Sequence, residues 1–271
     1  MNAPVEAGVA PYVTQNIERE VCTLTLNRGT RYNPLSLAMI DALDAALDAA
    51  AADAAVRVVV IAADGKGFCA GHDLKELRAH RDIGWQRTLF ARCNAMMQKL
   101  TQLPQPTIAR VHGIATAAGC QLVSMCDLAV AADSATFALP GLNTAVFCST
   151  PAVGVGRNVA RKRTMEMLLT AAPIDAATAL DWGLVNRVVP VAGLDAAIDV
   201  FVTSIVMRSA PVVALGKRAF YAQIERDLAG AYALAGETMA CNLLADDAAE
   251  GIDAFVAKRA PQWPSARGGT R

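Results

Sequence analysis

The sequence predicts an α/β core followed by a helical C-terminal region. Three observations carry that reading. Residues 56–62, VRVVVIA, form a continuous apolar run, the mark of a strand buried on both faces. Residues 12–26 alternate apolar and polar side chains and are rich in β-branched ones, the pattern of a two-stranded ribbon. From about Pro151 the texture turns to helix after helix.

The elements follow in chain order. Residues 1–11 read as a loose, flexible tail. Tyr12, Val13, Ile17, Val21, Leu24 and Leu26 are the apolar positions of the ribbon, and a polar turn spans 27–34. Ser36 is placed to cap a helix in which Met39, Leu43 and Leu47 recur at helical spacing. After the buried strand comes the loop Asp64-Gly65-Lys66-Gly67, then a short helix from near His72-Asp73. The scheme repeats with a strand at 107–111, a loop at 113–116, a helix at 117–125 and short strands at 127–131 and 136–139. Pro151, Asp175, Pro211 and Asp246 mark helix starts, and Gly183 and Gly230 mark helix ends. The expected organisation is a core over 12–200 and a C-terminal helical region over 201–271.

Composition narrows the function. Twenty-five Lys+Arg balance 25 Asp+Glu in 271 residues. Zero net charge removes the electrostatic case for nucleic acid or a polybasic membrane contact. A hydrophobic fraction of 54% excludes a disordered chain. No uncharged apolar run reaches the roughly 18 residues of a membrane span, and no basic segment precedes an apolar one as in a signal peptide. The seven cysteines are scattered and never spaced C-x-x-C. That pattern predicts reduced thiols and a cytoplasmic location. His72, His80 and His112 lack ligand spacing, so no metal is expected. There is no P-loop, His-Glu-x-x-His or Gly-x-Ser-x-Gly motif. Gly154-Val155-Gly156 fails as a dinucleotide fingerprint for want of the last glycine and a preceding strand.

Two strand-loop-helix junctions carry the chemical information. One is Gly67-Phe68-Cys69-Ala70-Gly71-His72-Asp73-Leu74-Lys75-Glu76-Leu77; the other is Val111-His112-Gly113-Ile114-Ala115-Thr116-Ala117-Ala118-Gly119-Cys120-Gln121. Small residues allow close backbone approach where a helix begins, and free N–H groups there carry partial positive charge. Two such groups aimed at one point make an oxyanion hole. The alternative is that the small residues only pack a helix on a strand.

The chain resembles the enoyl-CoA hydratase/isomerase (crotonase) family over nearly its full length. The resemblance rests on Leu26-Asn27-Arg28 with Asn33-Pro34-Leu35, Phe68-Cys69-Ala70-Gly71-His72-Asp73-Leu74, Gly119-Cys120-Gln121-Leu122 with Cys126-Asp127, Phe137-Ala138-Leu139-Pro140, and Gly183-Leu184-Val185-Asn186-Arg187. It implies a spiral of ββα units, a C-terminal helical trimerisation region, a homotrimer or dimer of trimers, and a coenzyme A thioester as substrate or ligand without a further cofactor. It places the oxyanion-hole N–H groups at His72 and Ala118, the CoA loop at Arg31, Tyr32 and Pro34, and the pantetheine path along Ala70, Asp73 and Leu74. Gly119 and Pro140 fall among the substrate-binding positions, and Phe255 and Lys258 among those reaching the CoA nucleotide.

Two departures from the family stand out. Its hydratases place and activate water with two glutamates, and here those positions hold Gln121 and Gly141. Glutamine orients water but takes no proton, and glycine has no side chain. Ordinary hydration and double-bond isomerisation are therefore in doubt. The His72 imidazole is of the right acid/base type, unless its ring faces solvent or caps the helix. Asp73 is a helix cap before it is a base. Ser149, beside Cys148, falls where some members carry a catalytic side chain, but lacks an evident base. The functions in view are a hydratase/isomerase-type lyase or isomerase, a non-hydratase acyl-CoA enzyme such as a decarboxylase, and a non-catalytic acyl-CoA-binding oligomer.

Overall fold

The computed structural model describes residues 10–267, so positions 1–9 of the expected tail and the last four positions lie outside the described residues. The ribbon is present as β1 (Val13–Glu18) and β2 (Val21–Leu26), paired antiparallel with Val13 opposite Leu26. Cys22, Leu24 and Leu26 are buried while Val21, Thr23 and Thr25 are only half-buried, the period-2 alternation of a strand. β3 (Val58–Ala63) runs parallel between β2 and β4 (Thr107–Val111), its first five residues buried. β5 (Ala115–Thr116) is a short strand inside the segment expected as a loop. Then follow β6 (Leu128–Ala132), β7 (Thr136–Ala138), β8 (Ile174–Asp175) and β9 (Arg187–Val189). The main sheet has the order β1-β2-β3-β4-β6-β9, and β5-β7-β8 form a smaller one. Because β2, β3 and β4 are parallel, their carboxyl ends open on one side, the side where α/β sheets bind ligands.

Helix α1 (Leu37–Ala52) starts at Ser36, whose Oγ accepts the Met39 N–H at 3.2 Å. Two helices follow β3: α2 (Leu74–Ala79) and the long α3 (Ile83–Gln102). Asp82 supplies the cap that starts α3. α4 (Ala118–Met125) is almost wholly buried. α5 (Ser149–Asn158) begins two residues before Pro151 and is followed by α6 (Arg161–Thr170) and α7 (Ala176–Asp181). Asp175 caps α7, and Gly183, at φ +84°, follows its end. α8 (Leu194–Val206) runs unbroken across residues 200 and 201 and packs on β3, β4, β6 and β9. α9 (Ala210–Ile224), α10 (Leu228–Leu243), α11 (Asp246–Val256) and α12 (Pro264–Arg267) complete the chain. Gly230 does not end a helix. It lies in the first turn of α10, its N–H donated to Asp227 Oδ1 at 2.7 Å, so the aspartate three residues earlier decides the polarity.

One buried ion pair fastens α9 to the core. Lys217 Nζ donates to Asp127 Oδ2 at 2.7 Å and to the carbonyls of Leu100 and Gln105 at 2.7 and 2.9 Å. Tyr221 donates to Asp127 Oδ1, and Thr107 donates its N–H and hydroxyl to Oδ2. Burial lowers the Lys217 pKa, and the Asp127 carboxylate opposes that shift. Among the described residues no single helix is long and apolar enough to cross a membrane.

Candidate functional site

The loop 64–73 and the start of α4 meet at the open end of β3 and β4. Gly71 is at φ +88°, and a β-carbon there would sit 2.9 Å from the Ala117 methyl and 3.2 Å from Ala118 N. Only glycine fits that approach. The Gly71 carbonyl accepts the Leu35 N–H at 2.7 Å. In a trans peptide the C=O and the next N–H point oppositely, so this bond turns the His72 N–H away from Leu35. Across the gap, the Ala117 carbonyl accepts the Gln121 N–H at 3.0 Å as the first helical bond of α4, which directs the Ala118 N–H out of the helix end. Among the described residues no acceptor takes either N–H. Ala118 is fully buried, and Ala117 gives α4 no side-chain cap. Buried backbone donors are almost always paired.

The two alanines of Ala117-Ala118-Gly119 differ in consequence. Ala118 is helical and keeps its N–H without strain. Ala117 sits at φ +50°, ψ −119°, a region that alanine enters at a cost of about 1–3 kcal/mol. Gly119 stays glycine because a β-carbon would collide with the Cys69 carbonyl oxygen.

Beside these donors lies a cavity of about 450 Å³. Ala70, His72, Leu74, Ala118, Pro140, Gly141 and Ser149 line it, with Leu77, Phe90, Ala117, Val146, Phe147 and Cys148. No carboxylate and no lysine or arginine is among the residues lining it. His72 is half-buried and lines the cavity, and the cap of α2 is Asp73 rather than the His72 ring. The ring packs edge-on to Phe90 with ring centroids 5.1 Å apart, and its Nε2 is buried without a partner among the described residues. Burial lowers the imidazole pKa to about 4, so the ring is neutral at neutral pH. Ser149 opens α5 at the cavity wall with its hydroxyl 3.4 Å from the Phe147 carbonyl; no histidine or carboxylate is hydrogen-bonded to it among the described residues. Burial pushes the Cys148 thiol pKa up, away from a reactive thiolate.

Asp73 is fully occupied. Its Oδ1 accepts the N–H groups of Lys75 and Glu76, and its Oδ2 accepts Arg31 Nη2 at 2.8 Å. The Tyr32 carbonyl accepts the Ala70 N–H at 2.9 Å, and Arg31, Tyr32 and Pro34 flank the cavity loop without lining the cavity. The side chain that joins these loops is Asn33, absent from the sequence-based site. It is completely buried at φ +49°. Its Oδ1 accepts the Arg28 N–H at 2.7 Å, and its Nδ2 faces the carbonyls of Asp64, Gly67 and Phe68 at 2.9, 3.0 and 3.2 Å. The available signal was an asparagine in a turn, a residue type that tolerates the left-handed region.

The two family glutamate positions have different fates. Gln121 is buried, its Oε1 unpartnered among the described residues, but it does not line the cavity. At Gly141 a β-carbon would collide with the Val146 carbonyl oxygen and lie 2.9 Å from Cys148 Sγ, so the space is filled by backbone. Phe255 is 85% exposed on α11, and neither it nor Lys258 lines the cavity. Among the described residues no group of three or more His, Cys, Asp and Glu side chains is placed to hold a metal.

Residues 16–266 match the family model described as enoyl-CoA hydratase/isomerase, and the chain belongs to that family. Segments 71–77, 115–122 and 147–151 resemble the enoyl-CoA hydratase domain-containing protein 3 within it. The Rattus norvegicus protein of that name is 43% identical over 254 residues, 93% of this chain and 85% of that protein. The crystal structure of the human domain-containing protein 3 gives a TM-score of 0.90 at 42% identity, covering 93% of this chain and 100% of that one. An enoyl-CoA hydratase from Mycobacterium smegmatis gives 0.92 at 53% identity, covering 94% and 99%. These neighbours establish the crotonase fold. The relatives also overturn the expected cytoplasmic location, since those of the domain-containing protein 3 group are named as mitochondrial. Six of the seven cysteines are buried and all are free, and a free thiol does not distinguish one reducing compartment from another.

Proposed function

We propose that the cavity receives the acyl part of a CoA thioester, with its carbonyl oxygen held between the N–H groups of His72 and Ala118. The observation that carries this is the buried, uncapped start of α4: among the described residues the Ala118 N–H and the His72 N–H have no protein acceptor, and both residues line the same cavity. Each donor of such a hole is worth about 3 kcal/mol to a developing oxyanion. The acyl chain lies against Leu74, Leu77, Phe90 and Phe147. Arg31, Tyr32, Pro34 and Asp73 flank the pantetheine path, and Phe255 and Lys258 are the contacts for the nucleotide.

The chemistry this arrangement supports is stabilisation of an enolate, not activation of water. The cavity walls offer no carboxylate, and the His72 imidazole is a weak base in its buried, neutral state. Decarboxylation of a malonyl-type thioester needs no proton abstraction and remains within reach of the hole alone. Binding without turnover is the second reading, favoured by the same lack of a base. An oligomer, a trimer or dimer of trimers, accounts for Leu228, Tyr232, Leu244, Phe255 and Val256, each between 74% and 88% exposed.

The test is incubation with crotonyl-, malonyl-type and saturated acyl-CoA, followed by mass spectrometry with binding measured in parallel. Decarboxylation with no hydration supports the enolate reading, and binding alone supports the second. Hydration of crotonyl-CoA, or no binding of any thioester, overturns both.

A further inference from the structure

We infer that Asn33 is a positioning residue for the His72 donor. The inference rests on the reading that His72 N–H holds a thioester carbonyl. Asn33 touches no part of the cavity and acts through the backbone that carries the donor. Its amide spans two loops: Oδ1 takes the Arg28 N–H, while Nδ2 is shared among the carbonyls of Asp64, Gly67 and Phe68. Phe68 lies four residues before His72. In the backbone around Asn33, the Tyr32 carbonyl accepts the Ala70 N–H, and the Leu35 N–H donates to the Gly71 carbonyl. Tyr32, just before Asn33, and Leu35, two residues after it, thus hold Ala70 and Gly71, while the Asn33 side chain holds the stretch leading to them.

A backbone held at Gly67, Phe68, Ala70 and Gly71 leaves the Gly71–His72 peptide little freedom to rotate. The aim of a hydrogen-bond donor matters more than its presence, because bonds weaken steeply with misalignment. Asparagine is suited to the task twice over. It accepts and donates in one plane, and it is among the few residues that enter the left-handed region readily, as its φ of +49° requires. No shorter or charged side chain supplies both halves.

The test reads donor aim directly. Crotonyl-CoA labelled with ¹³C at the thioester carbonyl is bound to the wild type, to Asn33→Gly and to Asn33→Asp, and the carbonyl stretch is recorded by isotope-edited infrared difference spectroscopy. Thermal unfolding and affinity are measured on the same samples. Glycine suits the positive φ and removes every side-chain bond; aspartate keeps Oδ1 as acceptor and loses the donors. The wild type is expected to shift the bound carbonyl to lower frequency, and both variants to lose about half of that shift, as for one misaimed donor of two. A folded variant that binds with the full wild-type shift overturns the inference and leaves Asn33 a purely structural residue. A wild type that binds with no shift overturns instead the reading of the hole on which the inference rests. If neither variant folds, Leu35→Pro, which deletes the N–H that clamps Gly71, is read in the same way: an unchanged shift counts against backbone aiming.

Discussion

The Leu35 N–H and the Gly71 carbonyl, 2.7 Å apart, fix which way the His72 peptide faces. Gly71 permits this only because it has no side chain. Gly71→Ala places a methyl 2.9 Å from the Ala117 methyl and 3.0 Å from the Thr116 carbonyl oxygen, at φ +88°. We expect a loss of at least about 1–3 kcal/mol in urea unfolding, together with loss of thioester binding. Wild-type binding in that variant would show that the loop aim is not needed.

Ala117→Gly should move the other way. The alanine pays about 1–3 kcal/mol for its backbone conformation, whereas glycine adds about 0.5–1 kcal/mol of unfolded-state entropy. The strain is the larger, so the variant should gain about 1 kcal/mol in denaturant unfolding. A lower stability would mean that the methyl contact with Gly71 outweighs the strain.

Restoring a family glutamate at position 141 should not restore hydration. The Val146 carbonyl oxygen occupies the place of the first side-chain carbon, so Gly141→Glu must displace residues 146–148. We expect about 1–3 kcal/mol of destabilisation and no hydroxyacyl-CoA from crotonyl-CoA by mass spectrometry, alone or with Gln121→Glu. Product from the double variant would show that the 146–148 segment moves aside readily.

His72 makes stability pH-dependent on the acid side. Its folded pKa of about 4 lies below its ordinary value of 6.5 because burial disfavours the cation. The unfolded chain therefore binds the extra proton between those values, and stability falls as pH drops from 6.5 towards 4. The full effect is about 3 kcal/mol. Urea unfolding at about pH 7, 5.5 and 4.5, which spans the titration, should show a steeper loss for the wild type than for His72→Asn. Parallel curves would mean that the ring is hydrated.

The elements most legible in the sequence are those whose cause is local. VRVVVIA reads as a strand because both of its faces are apolar, and β3 is buried on both. Ser36 and Asp175 announce helix starts because a cap acts within three residues. Gly230 misleads because a glycine near a helix end does not say which end. The site is less legible because its determinants are distant in the chain. Asn33 meets a carbonyl 31 positions away, and nothing in a polar turn says that its asparagine will be buried. At Gly141 the sequence reveals a missing carboxylate, but not that the Val146 backbone fills its space.

The Lys217 ammonium has a dynamic consequence. It ties α9 to the end of α3, to Gln105 two residues before β4 and, through Asp127, to Thr107. Lifting α9 away strips Lys217 and Tyr221 from the Asp127 carboxylate and leaves it only the two Thr107 donors, a dearer state than an ordinary frayed helix. Slow amide exchange in α9 should therefore track that of β4. The first helix beyond the sheet-packed α8 opens with the sheet as a single cooperative unit, so brief local breathing does not expose the strand ends that carry the site.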